Sequence, residues 1–290
     1  YFFKKLFTNF RENNDNPMID AHVHFWQFDP LRDAWMNDNM EILQRDFLPK
    51  DLERIAAKYD VDGVIAVQAD QSGRETNFLC RLSSTHKIIK GVVGWVDLLQ
   101  KNLDEILEHY SKIKVLKGFR HILQAEPPGF MLQRKFIEGV KALKHNDFTY
   151  DILVYHKQLP EVIQFLEKLP DQKLIIDHCA KPAIKKGDIK KWESQMRIIA
   201  EYTDVYCKIS GLVTEAHWHK WHQEDFYPYL DVVMECFGSE RIVFCSDWPV
   251  IYTSATYGKW INVMKEYMKQ FSKQQQDKFF SENAQRFYNI

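Results

Sequence analysis

Two histidines lie one residue apart near the start of the chain, within the segment 19–24 (IDAHVH). Side chains alternate along a β-strand, so His22 and His24 are expected on the same face, toward the interior of the fold. Two imidazoles at this spacing can hold one metal ion or one water molecule. A single buried histidine is more often a hydrogen-bonded core residue, so the pair needs support from polar residues elsewhere in the chain.

Further polar residues stand directly after apolar runs. His178 follows the run 174–177 (LIID), and Asp247 follows the run 242–246 (IVFCS). Burial of an unpaired carboxylate and several imidazoles would cost several kcal/mol if these side chains only filled space. A shared pocket is the cheaper explanation. The predicted catalytic residues are His22, His24, His178 and Asp247.

Short apolar runs rich in β-branched residues alternate with longer segments of helical periodicity from residue 18 onward, which is typical of βα units in a parallel sheet. Several runs, such as 64–67 (VIAV), are apolar at consecutive positions, as in strands buried on both faces. The predicted strands are 18–24, 63–68, 88–96, 115–121, 150–155, 173–177, 205–209 and 241–246. Such a series without a linker predicts a single (β/α)8 TIM barrel, in which the carboxyl ends of the strands meet at one mouth.

The alternative fold is a doubly wound sheet. Its first βα turn usually carries a glycine-rich dinucleotide fingerprint, whereas the corresponding segment 20–27 contains no glycine. We therefore predict one barrel over residues 18–290, preceded by an N-terminal extension over residues 1–17. The extension lacks the continuous apolar segment and cleavage site of a signal peptide.

Composition argues against several classes of partner. The 290 residues contain 39 Lys and Arg against 40 Asp and Glu, a formal net charge of -1, so we expect neither nucleic acid nor a membrane surface as a partner. Five cysteines without CxxC spacing indicate reduced thiols in a cytoplasmic protein. A homo-oligomer is left open.

Five phrases at the predicted strand ends carry a family resemblance. They are 18–26 (MIDAHVHFW), 118–121 (GFRH), 177–182 (DHCAKP), 208–212 (KISGL) and 246–250 (SDWPV). In this order they resemble the amidohydrolase superfamily of the amidohydrolase 2 type, and within it the sugar-lactonase branch typified by L-fuconolactonase and L-rhamnonolactonase.

The resemblance implies a hydrolase that opens a sugar lactone by attack of water on the carbonyl carbon. Asp247 would be the general base, and His22 and His24 would hold the water or a metal. His178, with Arg120 or His121, would donate to the carbonyl oxygen. A lactone ester is far more labile than an amide, so we expect that no metal is required. The alternative is one divalent metal, zinc, held by His22, His24 and Asp247, with His156 or His178 as a further ligand.

A sugar lactone offers hydroxyl groups and little charge, so its pocket should combine aromatic faces with hydrogen-bonding groups. The predicted substrate-binding residues are Trp26, Gln68, Arg120, His121, Tyr155 and Trp248. For the tryptophans the alternative is a packed rim around the mouth, and for Arg120 it is an ion pair with a neighbouring carboxylate.

The segment 217–222 (HWHKWH) has a spacing that could be mistaken for a metal site. We interpret it as part of a long loop with exposed histidines. Two other enzyme functions stay open: a zinc-dependent decarboxylase and a pyrone-dicarboxylate lactonase, both of which need several arginines for an acidic substrate. A sugar-binding protein without activity is a further alternative, and the complete set of four polar residues argues against it.

Overall fold

The computed structural model describes residues 17–290 and contains a sheet of eight parallel strands in the order β1 to β8. The strands are β1 Met18–Val23, β2 Val61–Val67, β3 Ile89–Gly94, β4 Leu116–His121, β5 Thr149–Ile152, β6 Leu174–Ile176, β7 Val205–Ile209 and β8 Ile242–Phe244. Each predicted apolar run overlaps one of them, although β2 and β5 begin before the predicted runs. Apart from Pro17, the predicted extension over residues 1–17 lies outside the described residues.

The first and last strands meet just beyond β8. A parallel bridge joins Val23 to Trp248. The Asp247 amide donates to the His22 carbonyl at 3.0 Å, and the His24 amide donates to the Trp248 carbonyl at 2.7 Å. These contacts close the sheet into a barrel, so the prediction of a single (β/α)8 barrel is confirmed, and they place both ends of the predicted site side by side.

Helices cover the outside of the barrel. They are α1 Pro49–Ala56, α2 Gly73–Thr85, α3 Leu103–Ser111, α4 Arg134–Lys144, α5 Leu159–Leu166, α6 Lys190–Ala200, α7 Leu212–Glu215, α8 Tyr227–Phe237, α9 Tyr257–Met268, α10 Lys273–Asp277 and α11 Asn283–Tyr288. Short 3-10 turns lie between several of these elements. Among residues 17–290, the helices are all too short or too polar to cross a lipid bilayer.

The lower part of the barrel is filled by apolar side chains and closed by the end of the chain. We call this group the interior cluster; its buried members are Ile19, Ala21, Ile65, Val67, Val93, Ile175, Val243, Cys245, Ala284, Phe287 and Tyr288. The last three belong to α11. Since α11 occupies this end, the site must open at the opposite one, where the strands end.

The orientation of the two histidines depends on an irregularity in β1. Ile19 and Ala21 face the interior, whereas the Asp20 carboxylate accepts a hydrogen bond from the Tyr257 hydroxyl of α9 at 3.0 Å, outside the barrel. Strict alternation would therefore turn His22 outward. A register shift between Asp20 and Val23 inserts one extra residue, and such bulges re-aim side chains. His22 thus points inward, although the reason differs from simple alternation.

Candidate active site

Three buried side chains bring their ligand atoms together where β1 and β8 meet. The Nε2 atoms of His22 and His24 are 3.1 Å apart. Asp247 Oδ1 lies 3.3 Å from His24 Nε2 and 3.8 Å from His22 Nε2. Zinc bound at about 2.0–2.1 Å in a tetrahedron separates its ligand atoms by about 3.4 Å. The spacing therefore fits a single metal ion.

Hydrogen bonding defines which ring nitrogen of His24 carries the hydrogen, and charge affects the protonation of His22. His24 Nδ1 is 2.8 Å from the Val67 carbonyl oxygen. A carbonyl only accepts, so Nδ1 carries the hydrogen and the Nε2 of neutral His24 keeps its lone pair. Burial, followed by the positive charge of Lys208, lowers the pKa of His22 well below its ordinary value. A cation bound between two imidazole nitrogens and a carboxylate would be stabilised by this arrangement.

The Asp247 carboxylate is ionised at neutral pH. Burial alone would raise its pKa, but the charge of His178 and the hydrogen bond with His24 lower the pKa of Asp247 below its ordinary value. Burial lowers the pKa of His178 to about 4, against the opposing charges of Asp247 and Asp177. Near pH 7 the site thus holds one anionic carboxylate next to neutral imidazoles, as a general base requires.

His178 reaches the site through an unusual backbone turn. Strand β6 ends at Ile176, and His178, Cys179, Ala180 and Lys181 then follow with φ values of 54°, 51°, 57° and 47°. Non-glycine residues rarely adopt this left-handed region, and those that do concentrate at functional sites. Asp247 is also left-handed, with φ 61°. We call the segment 178–181 the left-handed turn.

Two neighbours hold the His178 ring in place. Its Nδ1 shares a hydrogen bond of 2.8 Å with the Ser210 hydroxyl, and its ring centroid is 4.5 Å from that of His22. Gly211, at φ 68°, leaves room for the ring, because a Cβ there would lie 2.8 Å from the His178 Cβ. The left-handed turn and the start of α7 therefore fit together only with glycine at this position.

Beneath the three ligand atoms lies a buried ionic network that balances two cations against two anions. Lys208 pairs with Asp151, and its Nζ is 3.0 Å from Asp177 Oδ1. Asp177 Oδ2 also pairs with Arg120 at 2.9 Å. Lys208 Nζ lies 3.1 Å from His22 Nδ1, so the network touches the candidate ligand directly.

The charges in this network compensate one another in the low-dielectric interior. Despite burial, Lys208 and then His22 lower the pKa of Asp177 well below its ordinary value. Burial raises the pKa of Asp151 to about 6, against the charge of Lys208. The Tyr288 hydroxyl of α11 donates to Asp151 Oδ2 at 3.1 Å. The chain of contacts therefore runs from the C-terminal helix to the candidate metal ligand.

Two predicted substrate-binding residues, Arg120 and Gln68, line the interior wall of the barrel and hydrogen-bond to each other. The Arg120 guanidinium donates to Asp177 and to the Gln68 carbonyl, and the Gln68 side-chain amide donates to the Arg120 carbonyl at 3.1 Å. The ion pair that sequence reasoning left open for Arg120 is therefore present. Both residues are almost completely buried.

The other four predicted substrate-binding residues are spread around the mouth. Trp248 packs between Phe25 and Phe47 in the outer layer. Trp26 is buried, donates to the Arg45 carbonyl and lies with its ring centroid 6.4 Å from that of His24.

His121 and Tyr155 differ sharply in exposure. His121 turns away from the barrel interior, pairs with Glu126 at 2.7 Å and stacks on Phe130. Tyr155 is 40% exposed and lies below the Lys181 ammonium. Of these two residues, Tyr155 is the one whose ring is accessible at the mouth.

The histidine-rich segment 217–222 stays outside the candidate site. His217, His219 and His222 are exposed, as predicted for a loop. Within residues 17–290, no group of potential metal ligands includes any of them. A surface cavity of about 330 Å³ beside this loop is lined by His217, Lys220 and Trp221 among others, and it contains none of the four predicted catalytic residues.

Sequence reasoning missed the contributions of Asp151, Lys208, Ser210 and Tyr288. A signal was present for two of them, because Asp151 and Lys208 interrupt runs that otherwise read as fully buried strands. Charged residues are seldom buried unless they are paired. No comparable pattern marks Ser210 or Tyr288, whose partners lie on distant elements.

Known proteins resemble the chain over most of its length. The L-fucono-1,5-lactonase of Burkholderia multivorans is 37% identical over 250 residues, which cover 82% of this chain and 84% of that protein. The L-fucono-1,5-lactonase of Burkholderia ambifaria is 31% identical over 277 residues, which cover 94% and 95%. The crystal structure of an amidohydrolase from Burkholderia multivorans with bound zinc has a TM-score of 0.91 at 34% identity and covers 94% of this chain and 99% of that chain.

The expectation that no metal is required is wrong. That expectation was based on the lability of a lactone ester. The lability indicates how little activation the reaction needs, but it does not indicate which metal ligands the fold brings together. Here His22, His24 and Asp247 converge at distances that suit one ion, and the similar Burkholderia multivorans structure contains zinc.

The family follows from the sequence as a whole. The sequence profile of the family described as Amidohydrolase matches residues 19–290, which is almost the entire barrel, and the relatives from two Burkholderia species exceed 30% identity. The resemblance inferred from five short phrases is confirmed. The chain is a hydrolase that belongs to the amidohydrolase family.

Proposed function

We propose that the enzyme hydrolyses a sugar lactone, with L-fucono-1,5-lactone and close aldonolactones as the first candidates. The main support for the proposal is the ionised, buried Asp247 carboxylate at the mouth of the barrel. Its Oδ1 lies 3.3 Å from His24 Nε2, the candidate metal-ligand atom. Two relatives above 30% identity are L-fucono-1,5-lactonases, which supports this choice of substrate class.

In this proposal His22, His24 and Asp247 hold one zinc ion. Bound zinc would supply a Lewis acid and would lower the pKa of a coordinated water toward about 7. The protein controls the protonation of the two histidine ligands. The Val67 carbonyl keeps the hydrogen of His24 on Nδ1, while burial and Lys208 keep His22 neutral.

Asp247 acts as the general base. It accepts a proton as the water oxygen forms a bond to the lactone carbonyl carbon, and the ester bond to the ring oxygen then breaks. The proton passes from Asp247 to the departing alkoxide, which becomes the hydroxyl of the open chain. The product is a hydroxy acid, which is a carboxylate at neutral pH.

His178 stabilises the carbonyl oxygen while it carries negative charge. If the Ser210 hydroxyl donates to Nδ1, the Nε2 of His178 keeps its hydrogen and donates toward the substrate. One such donor contributes about 2.7–4 kcal/mol to stabilisation of the transition state. Arg120 and Gln68 shape the floor of the pocket, Tyr155 contacts the sugar, and Trp26, His121 and Trp248 support the wall.

The test is an assay of acid release with the purified, zinc-loaded enzyme against L-fucono-, L-rhamnono- and other aldonolactones. Hydrolysis of at least one lactone, lost after removal of zinc by a chelator and restored by added zinc, is expected. Release of CO2 from aromatic acids, or hydrolysis of a pyrone dicarboxylate with no activity on aldonolactones, would replace the proposal. In the described residues only Arg120 among the arginines contacts the buried network, which disfavours those acidic substrates.

A further inference from the structure

Lys181 closes the left-handed turn and is anchored by its backbone at both polar atoms. Its amide donates to the His178 carbonyl at 2.8 Å, and its carbonyl oxygen accepts a hydrogen bond from His156 Nδ1 at 2.8 Å. The partly buried side chain places Nζ 5.2 Å from the centre of the Tyr155 ring. The left-handed turn and the segment 155–156 therefore hold the backbone of Lys181, and its ammonium lies above the Tyr155 ring.

Two carboxylates contribute to the electrostatic surroundings of the Lys181 ammonium. Burial lowers the pKa of Lys181, whereas the charges of Glu215 and then Asp247 oppose that change. Lys181 in turn contributes to the lowered pKa of His178. The Tyr155 ring below the Lys181 ammonium is exposed where β5 ends, so the ammonium lies at the mouth of the barrel.

Unlike Arg120 and Lys208, Lys181 forms no ion pair with a described residue. Arg120 is paired with Asp177, and Lys208 is paired with both Asp151 and Asp177. Among residues 17–290, the Lys181 Nζ takes part in neither a hydrogen bond nor an ion pair. A partly buried charge without a partner is costly, and a ligand of opposite charge would offset that cost.

Lactone hydrolysis creates such a ligand. The neutral ester becomes a carboxylate beside the anionic Asp247, so the product is repelled unless a cation faces it. We propose that the Lys181 ammonium, above the Tyr155 ring, is a carboxylate subsite that binds the hydroxy acid product of this enzyme. The inference rests on the proposed function, since it assigns a role to the charge that the reaction generates.

The experiment compares binding of a charged and a neutral ligand with the same hydroxyl pattern. Isothermal titration calorimetry would measure L-fuconate and L-fucitol with the zinc-loaded enzyme and with its Lys181→Met, Lys181→Arg and Lys185→Met variants. Lys185 is the matched control, because it lies in the same loop, is exposed and contacts Trp218. Lys181→Met should weaken L-fuconate binding about tenfold or more, which is about 1.4 kcal/mol. It should leave L-fucitol unchanged, and Lys181→Arg and Lys185→Met should bind L-fuconate within about twofold of the wild type.

The outcomes separate this inference from the proposed function. Equal weakening of both ligands would assign Lys181 a packing role and overturn the subsite, as would unchanged L-fuconate binding or no L-fuconate binding by the wild type. If the wild type hydrolyses aldonolactones in any of these cases, the proposed function stands without the subsite. If it hydrolyses none of them but binds L-fuconate in a Lys181-dependent way, the subsite stands and the substrate must be another precursor of a hydroxy acid.

Discussion

The lower and upper halves of the barrel interior differ in polarity and in the interactions that stabilise them. The lower half is the apolar interior cluster, closed by Phe287 and Tyr288 of α11. The upper half holds three imidazoles, a network of buried ions and left-handed backbone at His178 and Asp247. Apolar burial stabilises the fold without regard to direction, whereas buried charges are tolerated only when each has a partner. The lower half therefore supports the geometry that the upper half needs for chemistry.

The largest expected effect is a loss of catalysis when Asp247 of the upper half is replaced. Asp247→Asn removes the proposed base and one ligand charge, so kcat/KM for the best lactone should fall by about 10²–10⁴-fold. The midpoint of urea unfolding should fall as well, because the lowered pKa of Asp247 means that its ionised form stabilises the folded state at neutral pH. Steady-state kinetics of acid release and a urea titration would measure both, with exposed Asp188→Asn as the control. Turnover that survives in Asp247→Asn would rule out this residue as the base.

The second effect is a loss of stability when the buried ionic network of the upper half loses a cation. Lys208→Met leaves Asp151 and Asp177 facing each other without their shared cation, so the free energy of unfolding should fall by about 3–5 kcal/mol. The double variant Lys208→Met/Asp151→Asn restores the charge balance with Arg120 and should regain part of that loss. Chemical denaturation of both proteins would measure this. A double variant no more stable than the single one would mean that charge pairing is not what Lys208 provides.

The third effect depends on pH and concerns the rim of the upper half. Burial raises the pKa of Glu75 to about 7, opposed by hydrogen bonds from the amides of Ala69 and Asp70. The folded protein therefore binds a proton at Glu75 more tightly than the unfolded chain does, so Glu75 makes stability fall as pH rises from about 4.5 to about 7, by an amount on the order of 3 kcal/mol.

Glu75→Gln should remove that part of the pH dependence. Relative to the wild type, the variant should gain stability between pH 5 and pH 7.5 and show no further gain above it. Urea unfolding of both proteins at several pH values is the measurement. Parallel stability curves for the two proteins would show that Glu75 titrates in the same way in the folded and unfolded states.

The smallest effect concerns the contact between the two halves. Tyr288→Phe keeps the aromatic ring in the interior cluster and removes only the hydroxyl that donates to Asp151. Loss of one such hydrogen bond to a charged group should cost about 1.5–3 kcal/mol at most, and less if water replaces it. Zinc affinity and kcat should stay within about twofold. A large loss of zinc affinity would mean that α11 controls the metal site directly.

Much of this molecule was predictable because local patterns reflect local causes. Runs such as 64–67 and 242–244 are apolar at consecutive positions, which is the pattern of strands covered on both sides. His22, His24, His178 and Asp247 follow such runs, so their convergence followed from the barrel. The need for metal was misjudged, because it was inferred from the reaction and not from how closely the ligands meet.

Patterns within single short segments were enough to predict eight strands, a barrel and four polar residues at its mouth. Three features became visible only in the folded chain: the bulge that turns His22 inward, the left-handed turn that aims His178, and the pairing of Lys208 with Asp151 and Asp177. They depend on contacts between distant segments, which no single stretch of sequence reveals. A buried charge can be recognised in a strand from its type alone, but its partner is known only once the barrel has closed.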